Sequence, residues 1–138
     1  MSAPAFVVDC SVTMAWCFAD ERTARTDAIL DRLESETAIV PILWPIEVAN
    51  VLLWAERKGR LTVSQTVQFT KMLRALPIEI SAASIDEALD VVLPLARSHG
   101  LSSYDASYLA LALHQNLPIA TMDKDLLVIC PKLGVVLL

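Results

Sequence analysis

Four carboxylates in this chain could work together on one bound ligand: Asp9, Glu47, Asp105 and Asp123. Asp9 ends the apolar run Phe6-Val7-Val8, and Asp123 follows the run that begins Leu117-Pro118-Ile119-Ala120-Thr121. Both runs read as short buried strands. Glu47 and Asp105 each fall in the first turn of a predicted helix. In a parallel α/β layout, strand ends and the helix starts that follow them share one edge of the sheet, where ligands bind. Acids distant in sequence can therefore meet there. Singly, each has an ordinary explanation. Asp9 and Asp123 suit helix N-caps. Glu47 complements a helix dipole. Asp105 stands three after Ser102, a capping-box spacing with Asp in place of Glu. Together, crowded carboxylates repel one another and lose hydration unless they are protonated or neutralised by a cation. Oxygen ligands without His or Cys point to Mg²⁺ or Mn²⁺. Magnesium keeps several waters, so some of the acids would act through water.

Neutral helpers occur at matching spacings. Ser11 lies two after Asp9, Asn50 three after Glu47 on the same helix face, and Thr121 two before Asp123 on the same side of a strand. Asn50 reads equally as ligand support or as an amide capping a neighbour. Asp125 could support Asp123, but is expected on the outer face of a short helix. The basic cluster Arg57-Lys58-Arg60 sits at a helix end, either as a solvated terminus or as a contact for an anionic partner. His99 and His114 lie near predicted helix C-termini, where a cation suits the dipole, and carry no catalytic role.

The elements that must position these residues alternate. A helix is expected over Val12–Phe18 and another over Glu21–Glu34, the latter with an apolar stripe of Ala24, Ala28, Ile29 and Leu33. Ala38-Ile39-Val40 reads as a strand closed by Pro41. Pro45 suits the first turn of a helix that runs to about Lys58 and is stopped by Gly59. A further helix from Thr62 or Val63 to about Arg74 completes a helical hairpin. Pro77-Ile78-Glu79-Ile80 is a third strand. Ser84 caps a long helix to about His99, with a kink expected at Pro94. The helix from Ser102 through Ala112 is almost wholly apolar and is expected to be buried on all sides. Leu117–Thr121 is a fourth strand, Lys124–Cys130 a short helix, and Val135–Leu138 a last strand. Strands alternating with helices predict a single three-layer α/β/α domain over residues 1–138 with a mostly parallel central sheet.

Composition agrees with one domain that has a large core. The chain has 138 residues, 55% hydrophobic and 20% charged, which argues against disorder. No apolar run approaches the ~18 residues of a spanning helix. The N-terminus lacks a basic leader and Asp9 interrupts its apolar start, so it reads as a poor signal peptide. Cys10, Cys17 and Cys130 show neither Cys-x-x-Cys nor zinc-finger spacing, and are expected as reduced core residues of a cytoplasmic protein. A net charge of −5 argues against nucleic-acid binding by bulk electrostatics, though not against a local basic patch working with metal ions.

Four segments carry a resemblance. They are Val7-Val8-Asp9-Cys10-Ser11, Pro45-Ile46-Glu47-Val48-Ala49-Asn50, Ser103-Tyr104-Asp105-Ala106-Ser107-Tyr108 with the Leu109-Ala110-Leu111-Ala112 that follows, and Ala120-Thr121-Met122-Asp123-Lys124-Asp125-Leu126. In this order and spacing the chain resembles PIN-domain ribonucleases, specifically the toxin subunits of VapBC-type toxin–antitoxin pairs. The likeness covers essentially the whole chain, and departs mildly at Cys10. It implies a metal-dependent endoribonuclease whose acidic site falls on Asp9, Glu47, Asp105 and Asp123, with Ser11 and Thr121 in support and Asn50 nearby. It also implies products with 5′-phosphate and 3′-hydroxyl ends, a homodimer, and a cognate antitoxin whose tail enters the groove.

Other readings fit less well. An Asp-dependent phosphatase wants a second Asp two after the first, where this chain has Ser11. A receiver domain wants an acidic pair by its first strand and a mid-chain phosphoacceptor. A catalytically silent PIN-like binding module has no need of all four acids.

Overall fold

The computed structural model describes residues 4–138, so the first three positions of the expected domain lie outside the described residues. Its centre is a four-stranded sheet of β1 (Ala5–Val8), β2 (Thr37–Pro41), β3 (Ile78–Ser81) and β4 (Ile119–Ala120), in the order β3-β2-β1-β4. All three pairings are parallel. Phe6, Val7 and Val8 alternate between the two faces of β1, yet each is fully buried, so helices cover both faces. That burial explains why β1 reads as an unbroken apolar run.

Local chemistry sets most helix starts. In α1 (Cys10–Ala15), Asp9 is the N-cap and accepts from the Val12 amide. In α2 (Ala24–Arg32), Thr23 and Thr26 form a reciprocal capping box, which is why the helix begins there and not at the expected Glu21. In α3 (Trp44–Arg57), Pro45 occupies the first turn. In α4 (Val63–Ala75), a capping box joins Thr62 and Gln65. Then come α5 (Ile85–Glu87), capped by Ser84, a π-helical segment Ala88–Val92, and α6 (Leu93–His99), ended by Gly100 at φ +64°. The irregularity expected at Pro94 thus lies one turn upstream. Proline has no N–H and crowds the carbonyl four residues back, and a turn widened to i→i+5 accommodates both effects.

In α7 (Ser103–Gln115), Tyr108 and Leu109 are buried and pack toward β1 and β2, but Tyr104 and Leu113 are exposed. The expectation of burial on all sides is therefore corrected. The helix lies at the domain surface for part of its girth, and its apolar excess faces outward there. After α8 (Lys124–Lys132), the expected strand Val135–Leu138 reduces to a single parallel bridge between Ile119 and Leu137. Its partner β4 is only two residues long and offers no longer ladder.

Candidate metal centre

The strand order reverses between β1 and β4. The chain steps from β1 outward to β2 and β3, then returns to the other side of β1. Such switch points open a crevice at the carboxyl edge. The β1–β4 register pairs Val7 with Ile119 and Val8 with Ala120, so Asp9 and Thr121 are the next residues on neighbouring strands.

Asp9 is held by hydroxyls from both sides. Ser11 Oγ donates to Asp9 Oδ1 at 2.6 Å and Thr121 Oγ1 donates to Oδ2 at 2.5 Å. The Val12 amide adds a third bond to Oδ1 at 3.1 Å. The same hydroxyls accept from the next loop: Met122 N donates to Ser11 Oγ at 2.9 Å, and Asp123 N to Thr121 Oγ1 at 3.0 Å. Asp9 and the backbone leading to Asp123 therefore form one hydrogen-bonded unit. Asp123 caps α8 through Oδ1, which accepts from Asp125 N and Leu126 N at 3.0 Å each. The ordinary capping explanation holds for both aspartates, but it uses only Oδ1 of Asp123.

Glu47 and Asp105 arrive on α3 and α7. Tyr108 Oη donates to Glu47 Oε1 at 2.5 Å, bridging the two helices. Ser102 caps α7 by accepting from Asp105 N at 3.1 Å. A second brace runs through the core: Trp44 Nε1 donates to Thr13 Oγ1 at 3.0 Å, and Thr13 Oγ1 donates to the Asp9 carbonyl at 2.9 Å.

The electrostatics are those of crowded acids. Burial pushes the Asp9 carboxyl up, the bonds from Ser11, Thr121 and Val12 pull it down, and repulsion from Asp123 pushes it up again. Glu47 is raised by burial, eased by Tyr108, and raised further by Asp105 and Asp9. Asp105 is raised by burial and by Asp123, eased by Ser102, and raised by Asp125. Burial and the same field push the Cys10 thiol up to about 12, so it stays protonated. The ion pairs among the described residues, Arg22–Asp27, Arg32–Glu36 and Arg60 with Asp20 and Glu21, include none of these four acids.

A hard divalent cation suits this donor set: all oxygen, mutually repelling, and in no ion pair among the described residues. Among the described residues, no three His, Cys, Asp or Glu side chains close into a ready-made coordination sphere. Like charges in a metal-free cluster repel. Magnesium needs only one or two direct carboxylates and fills the rest with water.

The other expected residues divide. Asn50 is exposed and makes no side-chain hydrogen bond among the described residues, so it braces nothing here. Asp125 is exposed, on the outer side of α8. Arg60 is bonded to Asp20 and Glu21. Tyr108, Thr13 and Trp44 went unread in the sequence. The available signal for Tyr108 was its place three after Asp105, one turn along the same face. An apolar cavity of about 260 Å³ between the β2 and β3 ends, the π-helical segment and α7 contains none of the four acids.

The raised carboxyls carry a prediction. A group whose folded pKa exceeds its unfolded value stabilises the fold below the unfolded value and loses that contribution as pH rises through the folded one. For Asp9, Glu47 and Asp105 the unfolded value is about 4. In EDTA, the melting temperature is therefore expected to be higher at pH 5.5 than at pH 7.5, with about 4 °C for each kcal/mol. Mg²⁺ should raise it more at pH 7.5 than at pH 5.5. Thermal melts in the four conditions check this, and a flat or inverted order contradicts the electrostatic picture.

The PIN domain family model matches residues 6–130, and the chain belongs to that family. Among curated proteins it is similar to Ribonuclease VapC3 of Pyrobaculum aerophilum, 28% identical over 120 residues, covering 87% of this chain and 90% of that one. A solved structure from the same organism superposes with a TM-score of 0.70 at 27% identity, covering 92% of this chain and 86% of the other. The fold is also that of Mycobacterium tuberculosis VapC20, described as a toxin that cleaves the sarcin-ricin loop, with a TM-score of 0.64, 16% identity and coverage of 90% and 94%. VapBC2 of Rickettsia felis, solved on a DNA fragment from its promoter, gives a TM-score of 0.63 at 13% identity and 97% coverage of both chains.

Proposed function

We propose that this chain is the toxin of a type II toxin–antitoxin pair, an endoribonuclease that hydrolyses RNA phosphodiester bonds with Mg²⁺ or Mn²⁺. The observation that carries the proposal is the hydrogen-bonded unit of Asp9, Ser11, Thr121 and the Asp123 backbone at the β1–β4 switch point, with Glu47 and Asp105 raised by the charge of their acidic neighbours. The names of the curated and structural relatives support the substrate class. Asp9, Asp105 and Asp123 would hold the cation directly or through water, with Glu47 as a further ligand or as the group that positions the water. When bound, the cation supplies an acidified water and counter-charge for the phosphoryl oxygens.

The chain's own part is orientation. Ser11, Thr121 and the Val12 amide fix the Asp9 carboxylate, and Tyr108 fixes Glu47. The capping bonds of Asp123 hold its Oδ1 and leave Oδ2 for a ligand. The carboxylates would repel a phosphate brought to the acidic edge without the cation, so cleavage there would require the metal.

The toxin–antitoxin complexes among the structural relatives support a protein antitoxin as partner. Ile46 and Tyr104, large and exposed beside Glu47 and Asp105, give such a partner apolar surface next to the site. A homodimer completes the proposed assembly. Among the described residues no helix is long and apolar enough to cross a membrane. The three unpaired cysteines suit the reducing cytoplasm.

The test is cleavage of total RNA by the purified chain. Cutting should stop with EDTA, return with Mg²⁺ or Mn²⁺, and leave 5′-phosphate and 3′-hydroxyl ends. Cleavage indifferent to EDTA, or ends bearing a 2′,3′-cyclic phosphate, would exclude this chemistry.

A further inference from the structure

Helix α3 does more than carry Glu47. Trp54, on its exposed side, has half its surface open to solvent, at 51%. Its Nε1 has no hydrogen-bond partner among the described residues, whereas those of Trp16 and Trp44 donate to the Thr26 carbonyl and to Thr13 Oγ1. The Arg57 guanidinium lies 5.8 Å and the Lys58 ammonium 5.7 Å from the centre of the Trp54 ring. Neither cation is in an ion pair among the described residues, while neighbouring Arg60 is held by Asp20 and Glu21. The result is a half-exposed aromatic ring with two cations over it, neither in an ion pair among the described residues.

Helix geometry ties this patch to the metal centre. At 100° per residue, Trp54 stands about 20° around the helix from Glu47, and Lys58 about 20° on the other side. Along the axis, at 1.5 Å per residue, they lie roughly 10 Å and 16 Å from Glu47. Acid, aromatic and cation thus form one stripe.

We propose that Trp54, Arg57 and Lys58 form a subsite for single-stranded RNA beside the catalytic edge, with one base stacked on the Trp54 ring and flanking phosphates on the two cations. The subsite rests on the nuclease reading. Single-strand binders combine such aromatic platforms with positive charge, because every base has a π-face and every linkage a phosphate. One ring beside two cations matches the repeat of a single strand, a base and its flanking phosphates, which favours RNA. The chain has a net charge of −5, and its acidic edge repels a polyanion, so local attraction must come from such a patch.

The test measures binding of a short fluorescent single-stranded RNA to the full chain in the Asp9→Asn background, by anisotropy across a salt series. Trp54→Ala should weaken binding at least about five-fold, the lower end for losing one base–aromatic stack. Trp54→Phe should keep most of the affinity. Arg57→Gln with Lys58→Gln should reduce the slope of log K against log salt by about 1.4, from about 0.7 for each single-strand phosphate contact. Circular dichroism melts confirm that each variant is folded. Wild-type cleavage of the same RNA in Mg²⁺ is run alongside. If the wild type cuts RNA while Trp54→Ala and the double variant bind as their parent does, the subsite fails and the nuclease reading stands. If the variants keep RNA binding but lose a polyglutamate peptide, the patch serves a protein and the subsite also fails. If the wild type neither cuts nor binds RNA, both readings fall.

Discussion

Asp9→Asn is expected to lower RNA cleavage at least about 100-fold and, in EDTA, to raise the melting temperature. Both effects follow from one buried carboxylate. Its charged form suffers desolvation and repulsion from Asp123. The amide has nearly the same shape, can still accept from the Val12 amide, and can donate to a hydroxyl that now accepts. The charge disappears, and with it a metal ligand. Single-turnover cleavage in saturating Mg²⁺ reads the first effect, and thermal melts at pH 7.5 read the second. Wild-type activity would remove Asp9 from the chemistry. A lower melting temperature would show that its three hydrogen bonds outweigh its desolvation.

Tyr108 separates structure from function in a single position. It is the largest fully buried side chain, and its hydroxyl reaches Glu47. Tyr108→Ala should cost about 3–5 kcal/mol through the cavity it leaves, a large share of the roughly 5–15 kcal/mol that holds a typical domain together. Tyr108→Phe keeps the ring and loses one bond to a carboxylate. It should retain the fold but weaken Mn²⁺ binding by about tenfold, as loss of an outer-shell brace does. Calorimetric titration with Mn²⁺ reads this without relying on cleavage. In a Glu47→Gln background the same Tyr108→Phe change should have little further effect on Mn²⁺ affinity. An equal loss in both backgrounds would mean that the tyrosine acts through packing alone.

What could be read in the sequence was whatever a local pattern encodes. The run Phe6-Val7-Val8 before Asp9 showed a doubly covered strand, because burial on both faces removes alternation. Pro45, Ser84 and Ser102 marked helix starts, because capping is chemistry between neighbours. Tertiary context decided the rest. The end strand at Val135–Leu138 shrank because β4 is short, which its own residues do not reveal. The bond from Tyr108 to Glu47 spans 61 residues and had no local trace beyond a helical spacing. Asn50 had the right spacing but lies in solvent, since a three-residue interval defines a face and not what that face meets. The pairing of Arg60 with Asp20 and Glu21, 40 and 39 residues away, was equally invisible and left Arg57 and Lys58 as the free members of the basic cluster among the described residues.

The hydroxyl clasp of Ser11 and Thr121 joins Asp9 to a residue 112 positions later in the chain. A ribosome makes Asp9 and Glu47 well before it reaches Thr121 and Asp123. Until then β1 lacks one neighbour, Asp9 lacks a donor, and half of the acids are unfolded or unmade. A nascent chain that has not yet reached Thr121 and Asp123 therefore lacks part of the proposed site and the bond that clasps Asp9.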